Sequence, residues 1–351
     1  MLKIAQRLDT SVFEPHICCF HDKGAFFKTV RESGIPVHLY TYTTPMIPRA
    51  KGLKNAWRIS RFFGKGKFDL IHSFHYADDY SEGLAARLAG VKWVFTKKNM
   101  NWGANSWKLR RKLASGIIAQ NTDMIKHFFP DQPKVALIGR GVDTNEFKPL
   151  PPSTSLKKEF KLPDQAKVIL MVANLVPVKG AEVLLEAFNT VAGAFDHLYL
   201  FYVGDNQNDY GGKMKSLAEK SSYPGRIIFT GKRPDVKDFH SIADIFVLPT
   251  LDEGRQEGSP VALLEAMASG SFSLASNVAG IRDQLSNLPD QLFAPADSQA
   301  LASGLNKYLS FSPQEMKSLT DRQLKEVEDR FTIEREVNDH ENFYLRILGK
   351  S

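Results

Sequence analysis

Two carboxylates with seven residues between them, Glu257 and Glu265, stand in the part of this chain best suited to chemistry. The stretch from Phe246 to Gly270 reads as a buried strand ending at Pro249, a polar loop, and then a helix. Ser259 suits the N-cap, Pro260 the first helical position and Gly270 the C-terminal stop. The free N–H groups of such a first turn, with the helix dipole behind them, form a site for an anion. Glu257 is expected just before the helix and Glu265 in its second turn. A solvated glutamate beside a capped helix end needs no function, and each part taken alone favours that bland reading. The whole string does not.

The elements that must position these residues are short apolar runs alternating with helical segments. Strands are expected at His16–Phe20, Pro36–Tyr40, Asp69–Ser73, Lys92–Thr96, Gly116–Ala119 and Lys134–Ile138 in the first half. The second half offers Lys167–Ala173, His197–Val203, Arg226–Thr230, Asp244–Pro249 and Ser271–Ala275. Runs of about five to seven apolar residues separated by helix-length gaps indicate buried parallel strands in βα units. Both halves therefore read as doubly wound α/β domains. The join runs from Gly139 to Pro152, a Gly-then-Pro segment. Domains are expected at 1–145 and 146–330, followed by 331–351. Helical segments Ser312–Arg330 and Thr332–Leu348 close the chain. At its start, Leu2, Ile4, Ala5 and Leu8 have helical spacing, so a helix precedes the first strand. A doubly wound domain ordinarily opens with a strand and a Gly-rich turn. The expectation is that about 15–25 residues holding both are encoded upstream, as ordinary strand and loop lengths suggest.

Composition sets the outer bounds. The chain has 351 residues, enough for two ordinary domains, with 43% hydrophobic and 24% charged residues, which is globular usage. No apolar run reaches the roughly 18–20 residues of a membrane span, and no signal peptide opens the sequence. Cys18 and Cys19 are adjacent, and strand neighbours point to opposite faces, so they make neither a disulfide framework nor a metal site. A reduced, cytoplasmic protein is expected. The net charge of +7 is uneven: residues 1–147 hold 23 Lys+Arg against 12 Asp+Glu, a net of +11, leaving −4 for the remainder. A basic half points to an anionic partner. Zinc-finger spacing, RNP-type aromatics and a helix-turn-helix are all missing, which places nucleic acid last.

The string Glu257-Gly-Ser-Pro-Val-Ala-Leu-Leu-Glu265-Ala-Met-Ala-Ser-Gly270 resembles the two-glutamate hallmark of the retaining glycosyltransferases of family four, which have the GT-B fold. Four further places match in order. Val172-Ala-Asn-Leu-Val-Pro-Val-Lys179-Gly180 is similar to the family's Lys-Gly loop, and Phe201-Tyr-Val-Gly204-Asp205 to its strand-ending turn. Phe229-Thr-Gly231-Lys-Arg resembles the segment that receives the nucleobase, and Gly139 to Phe147 the linker between domains. Five ordered matches are a far more specific signal than one short motif.

The resemblance implies a GT-B architecture: two Rossmann-like domains facing each other across a cleft, the first without its opening strand. The last helix, within 331–351, would cross back to the first domain. Lys179 would stabilise the diphosphate of a nucleotide-sugar donor, where a fixed cation offsets charge on the leaving group. Asn174 stands where the family usually has Arg, so diphosphate binding would lean on Lys179 and backbone N–H groups. Glu265 would hold the ribose hydroxyls. Glu257 would lie near the transferred sugar, and Gly258, Ser259, Pro260 and Val261 would border it. Gly231, Lys232 and Arg233 would line the base pocket through main-chain atoms. Catalytic roles thus fall to Glu257 and Lys179.

In the first half, His72 and His75 follow a strand in a His-x-x-His setting like the family's V-H-x-H, although structural histidines are as common an outcome. Thr96 to Trp102 replaces the family's T-x-H pattern, which leaves Lys98 and Asn99 as acceptor-side candidates. No Asp-x-Asp follows a strand; Asp78-Asp79 reads as a solvated pair. The expectation is a retaining, metal-independent transfer with no cofactor, taking a nucleoside-diphosphate sugar as co-substrate. The acceptor would be a carbohydrate or lipid-linked molecule, in cell-surface polysaccharide or glycolipid synthesis. A nucleotide-sugar epimerase and a non-catalytic GT-B-like scaffold remain as alternatives. Residues Arg49–Lys67 carry a basic stripe, Lys51, Lys54, Arg58, Arg61 and Lys65, opposite Leu53, Ala56, Trp57, Ser60 and Phe63, with no acid. Such a helix can lie on the anionic inner face of a membrane, although a helix that packs Trp57 on its own sheet shows the same basic outer face.

Overall fold

The computed structural model describes residues 1–351 except 76–78, 102–105, 131, 255–256 and 351, and the side chain of Ala25. The chain forms two compact units, Met1–Gly139 with Ile333–Ser351, and Arg140–Thr332. The boundary falls before residue 145 because Val142 and Phe147 are buried in the core of the second unit. There Val142 N–H donates to the Phe331 carbonyl at 2.8 Å, so the two passages of chain lie side by side.

In the N-terminal unit, strands β1 (Ile17–Cys19) and β2 (Val37–Leu39) pair in parallel. Strands β3 (Leu70–Ser73), β4 (Lys92–Lys97), β5 (Gly116–Ala119) and β6 (Val135–Leu137) form a separate four-stranded parallel sheet in that order. No ladder joins β1 to β3 among the described residues. Alternation along β4 explains its apolar run: Trp93 and Phe95 enter one core cluster and Val94 another. Phe343 and Tyr344 of the helix Ile333–Leu348 cover the Val94 side, which ties the last helix to this unit. The chain opens with a short helix, Leu2–Ala5, as its spacing indicates. Cys18 and Cys19 are both free thiols.

The C-terminal unit holds β7 (Lys167–Val172), β8 (Leu198–Val203), β9 (Ile227–Gly231), β10 (Ile245–Leu248), β11 (Phe272–Ser276) and β12 (Leu292–Phe293). Their order is β12-β11-β10-β7-β8-β9, all parallel. Ile169 and Met171 of β7 pack under helices Ala181–Val191 and Ser298–Leu309, while Val168 and Leu170 face the Val261–Ala268 side. Helices on both faces are what a near-continuous apolar strand requires. Strand order reverses between β7 and β10. In such sheets the crevice beyond the carboxyl ends of the strands at that reversal is where ligands bind. The two-residue β12 is too short to stand out by pattern in the sequence.

Candidate functional site

The loops that follow β7 and β10 converge at this reversal. After β7 the chain turns through a short 3₁₀ segment, Pro177–Lys179, and Gly180 in the left-handed region, φ 68°, before the next helix. Leu251 N–H donates to the Val178 carbonyl at 2.9 Å, lashing the two loops together. A Cβ on Gly180 would lie 1.9 Å from the Pro249 carbonyl oxygen, so only glycine allows this approach. The outcome is an ion pair between Lys179 Nζ and Glu257 Oε1, with the two side chains 21% and 27% exposed. Burial pulls the Lys179 ammonium below the ordinary lysine range. A partly dehydrated cation offers a fixed charge to an incoming anion at little reorganisation cost.

The helix after this loop is Val261–Ala268. Pro260, not Ser259, is its N-cap residue, and no side chain caps it. Ser259 Oγ instead accepts from Arg140 N–H at 3.1 Å and from the Gln284 amide at 3.0 Å. That Gln284 amide also reaches the Pro260 carbonyl at 3.2 Å, so it fixes both Ser259 and the N-cap residue that follows. Gly280, φ 79°, comes so close to the Gly258 carbonyl that a Cβ would lie 2.3 Å from it. Val261 opens the helix, Glu265 lies half-buried in its second turn, and Gly270 ends it at φ 79°.

The remaining donor-side candidates divide by what already holds them. Asn174 Oδ1 accepts from Asp205 N–H at 3.1 Å, so this side chain closes the β7 and β8 turns on one another. Lys232 pairs with Asp205 at 2.9 Å. Hydrogen bonding from Lys232, then from the Gln207 N–H, holds the Asp205 carboxyl below its usual range. The Arg233 guanidinium is bound by Glu159 at 2.8 and 3.0 Å and by Asp235 at 2.9 and 2.7 Å. It is a structural clamp, and only its main chain is left for a ligand. Gly231 sits at φ 73° with open space where a Cβ would be.

Two of the first-half candidates are engaged by protein partners. His72 gives both ring nitrogens to protein partners, Nδ1 to the Tyr344 hydroxyl at 2.7 Å and Nε2 to the Thr96 hydroxyl at 2.8 Å. It fastens the last helix to β3 and β4. Asn99 is buried, and its Oδ1 accepts from Lys97 Nζ at 2.9 Å and from Asn101 N–H at 3.2 Å. The buried Lys97 thus organises the loop after β4, while the Lys98 ammonium lies 5.8 Å from the Phe74 ring. Trp102 and Asp78 lie outside the described residues. Asp79 Oδ1 accepts from the Ser81 N–H at 2.8 Å and is a turn residue.

His75 leads to a cluster that sequence reasoning missed. Its Nε2 is 3.5 Å from Oε2 of Glu82, whose side chain is only 2% exposed. Arg110, equally buried, approaches the same carboxylate at 4.0 Å and lies 4.8 Å from the centroids of both Trp93 and Phe95. Burial raises Glu82 to about 7 despite Arg110, and burial lowers His75 to about 4. Nothing in the sequence links Glu82 to Arg110, 28 positions away; only the α/β topology brings them together. Among the described residues no group of three or more His, Cys, Asp or Glu side chains could hold a metal ion.

Comparison with known proteins bears on both units. Residues 153–323 match the family described as Glycosyl transferases group 1, and residues 1–146 match Glycosyltransferase Family 4. An Escherichia coli UDP-Gal:alpha-D-GlcNAc-diphosphoundecaprenol alpha-1,3-galactosyltransferase is 26% identical over 251 residues, covering 66% of this chain and 63% of the relative. A Campylobacter jejuni N,N'-diacetylbacillosaminyl-diphospho-undecaprenol alpha-1,3-N-acetylgalactosaminyltransferase is 23% identical over 292 residues, 77% of this chain and 75% of the relative. The chain thus spans less than two thirds of the E. coli relative's length. A glycosyltransferase crystal structure from Rickettsia africae superposes with a TM-score of 0.87 at 20% identity, covering 100% of this chain and 94% of that one. The Anabaena HepE structure in complex with UDP and glucose gives 0.80 at 18% identity, covering 97% and 93%. At these identities the superpositions establish the GT-B fold alone.

Proposed function

The chain belongs to the group 1, family 4 glycosyltransferases, and from that premise we propose that it transfers a sugar from a nucleoside-diphosphate sugar to a carbohydrate or lipid-linked acceptor. The observation that carries this reading is the meeting of Lys179 and Glu257 at the strand-order reversal of the C-terminal unit. Two relatives are named for transfer to diphosphoundecaprenol-linked sugars, which favours a lipid-linked acceptor of this kind.

In this reading the donor diphosphate takes the Lys179 ammonium from Glu257, assisted by the N–H groups that open the helix Val261–Ala268. The carboxylate of Glu265 accepts hydrogen bonds from the ribose hydroxyls. Glu257, released from the lysine, turns to the sugar. The bond from the anomeric carbon to the diphosphate oxygen breaks while the acceptor oxygen adds from the same face. The acceptor proton passes to the leaving diphosphate, so the configuration is retained without a separate base. Lys179 supplies the positive charge at the diphosphate, so the transfer is read as metal-independent.

A panel of nucleotide-sugars and free nucleoside diphosphates scored by thermal shift tests the donor site, because a ligand that binds the folded state raises its melting temperature. The matching donor is then incubated with and without lipid-linked acceptors. Absence of any shift across the panel, or conversion of the donor to an epimer without an acceptor, overturns the proposal.

A further inference from the structure

The helix Arg49–Lys65 uses only part of its apolar surface for the core. Gly52, Ala56, Ile59, Ser60 and Phe63 are buried, whereas Leu53 and Trp57, one turn apart, remain 54% and 57% exposed. Trp57 therefore does not pack on its own sheet. Ile47, two residues before the helix, is 86% exposed. On a wheel of 100° per residue, Arg61, Lys54, Lys65 and Arg58 follow Leu53 and Trp57 around the same exposed arc. The Arg61 guanidinium lies 5.5 Å from the Trp57 ring centroid. The neighbouring helix Ser81–Ala89 exposes Arg87 and Leu88, and its acid, Glu82, is buried. Each helix thus exposes bases and apolar side chains, with no exposed acid in either.

We propose that this face binds the surface of a bilayer rich in anionic lipid, with Leu53 and Trp57 entering the headgroup boundary and the bases meeting lipid phosphates. A bilayer is the partner that needs both halves of the pattern. Juxtaposed bases are drawn to an anionic leaflet within a Debye length, and Trp is suited to the interface, where its apolar body and polar N–H are both accommodated. A polynucleotide would use the bases but would leave Leu53 and Ile47 in water. A second copy of the same face would oppose like charges. The inference rests on the exposed face of this helix and stands apart from the donor site.

Sedimentation of the full chain with phosphatidylglycerol–phosphatidylcholine vesicles, against pure phosphatidylcholine vesicles, tests it without reference to activity. Binding only to the anionic vesicles, weakened by salt, is expected. Lys54→Glu with Arg58→Glu should reduce that binding more than tenfold, and Leu53→Ser with Trp57→Ser several-fold. All four positions are exposed, so circular dichroism and melting temperature should stay at parental values. Equal binding to neutral vesicles, no binding at all, or parental binding by either double variant overturns the proposal. So does displacement of the vesicles by a short single-stranded oligonucleotide at equal phosphate concentration, which would assign the face to nucleic acid.

Discussion

Lys179 and Glu257 are ion-paired where the loops after β7 and β10 meet, at the reversal of strand order in the C-terminal unit. The pair holds a cation in readiness and occupies it until an anion arrives. Its two members therefore predict different phenotypes. Lys179→Ala should weaken nucleoside-diphosphate binding and lower transfer on the order of a hundredfold or more. Glu257→Gln removes the internal competitor and should bind nucleoside diphosphate at least as well as the parent, while transfer falls. Calorimetric titration beside a transfer assay separates the two; matching losses of binding in both variants would refute the division of labour.

The approach of the β7 loop to Pro249 makes a second prediction. Gly180→Ala combines a left-handed backbone with a Cβ 1.9 Å from a carbonyl oxygen, whereas Gly231→Ala combines a similar φ with open space. Gly231→Ala should cost roughly 1 kcal/mol from backbone strain, and Gly180→Ala distinctly more, because main chain must move. Denaturant unfolding of the two variants measures the difference. Gly180→Ala should also weaken nucleoside-diphosphate binding, since Lys179 is the adjacent residue.

Most of this architecture was legible because a parallel strand covered on both faces writes itself as an apolar run, as Lys167–Val172 does. The Lys179 and Glu257 loops were legible because their glycines and prolines leave a specific string. What the string could not convey is how polar side chains are spent. His72 and Asn99 stand in suggestive positions, yet both are consumed by partners on other elements, Tyr344 and Lys97 among them. Ser259 has the chemistry of a cap but is recruited by Gln284 and Arg140. Trp57 belongs to an amphipathic helix whose apolar arc is wider than the groove it fills, a matter of tertiary fit that periodicity does not record.

Arg110 and Glu82 form a buried pair in the N-terminal unit, each 2% exposed and 4.0 Å apart. Above about pH 7, where Glu82 is ionised, removing Arg110 strands that carboxylate in a low-dielectric site. Arg110→Met should cost about 3–5 kcal/mol, as is typical of broken buried pairs, despite keeping an apolar stem against Trp93 and Phe95. Adding Glu82→Gln to that variant should recover much of the loss. A double-mutant cycle by denaturant unfolding decides; strictly additive losses would show that the two side chains are not coupled.

His75 beside Glu82 gives a pH prediction whose sign depends on which residue is kept. Glu82 is raised from 4.5 to about 7 by burial, so its contribution is fully present below about 4.5 and is lost as pH rises through 7. His75 is lowered from 6.5 to about 4, so its contribution is present above 6.5 and is lost as pH falls through 4. Between about pH 4.5 and 6.5 the folded pair holds its proton on the glutamate, and the unfolded chain holds it on the histidine. The two slopes then oppose each other, and the parent protein shows little dependence from this site. His75→Asn should unmask the glutamate, so that stability falls, relative to the parent, from pH 4 to 6.5, the window of the imidazole it removes. Glu82→Gln should unmask the histidine, so that stability rises, relative to the parent, from pH 4.5 to 7, the window of the carboxyl it removes. Melting curves of the three proteins across pH 4–8, taken as differences from the parent, read both slopes. Slopes of the same sign in the two variants would mean that the carboxyl and the imidazole do not exchange a proton on folding.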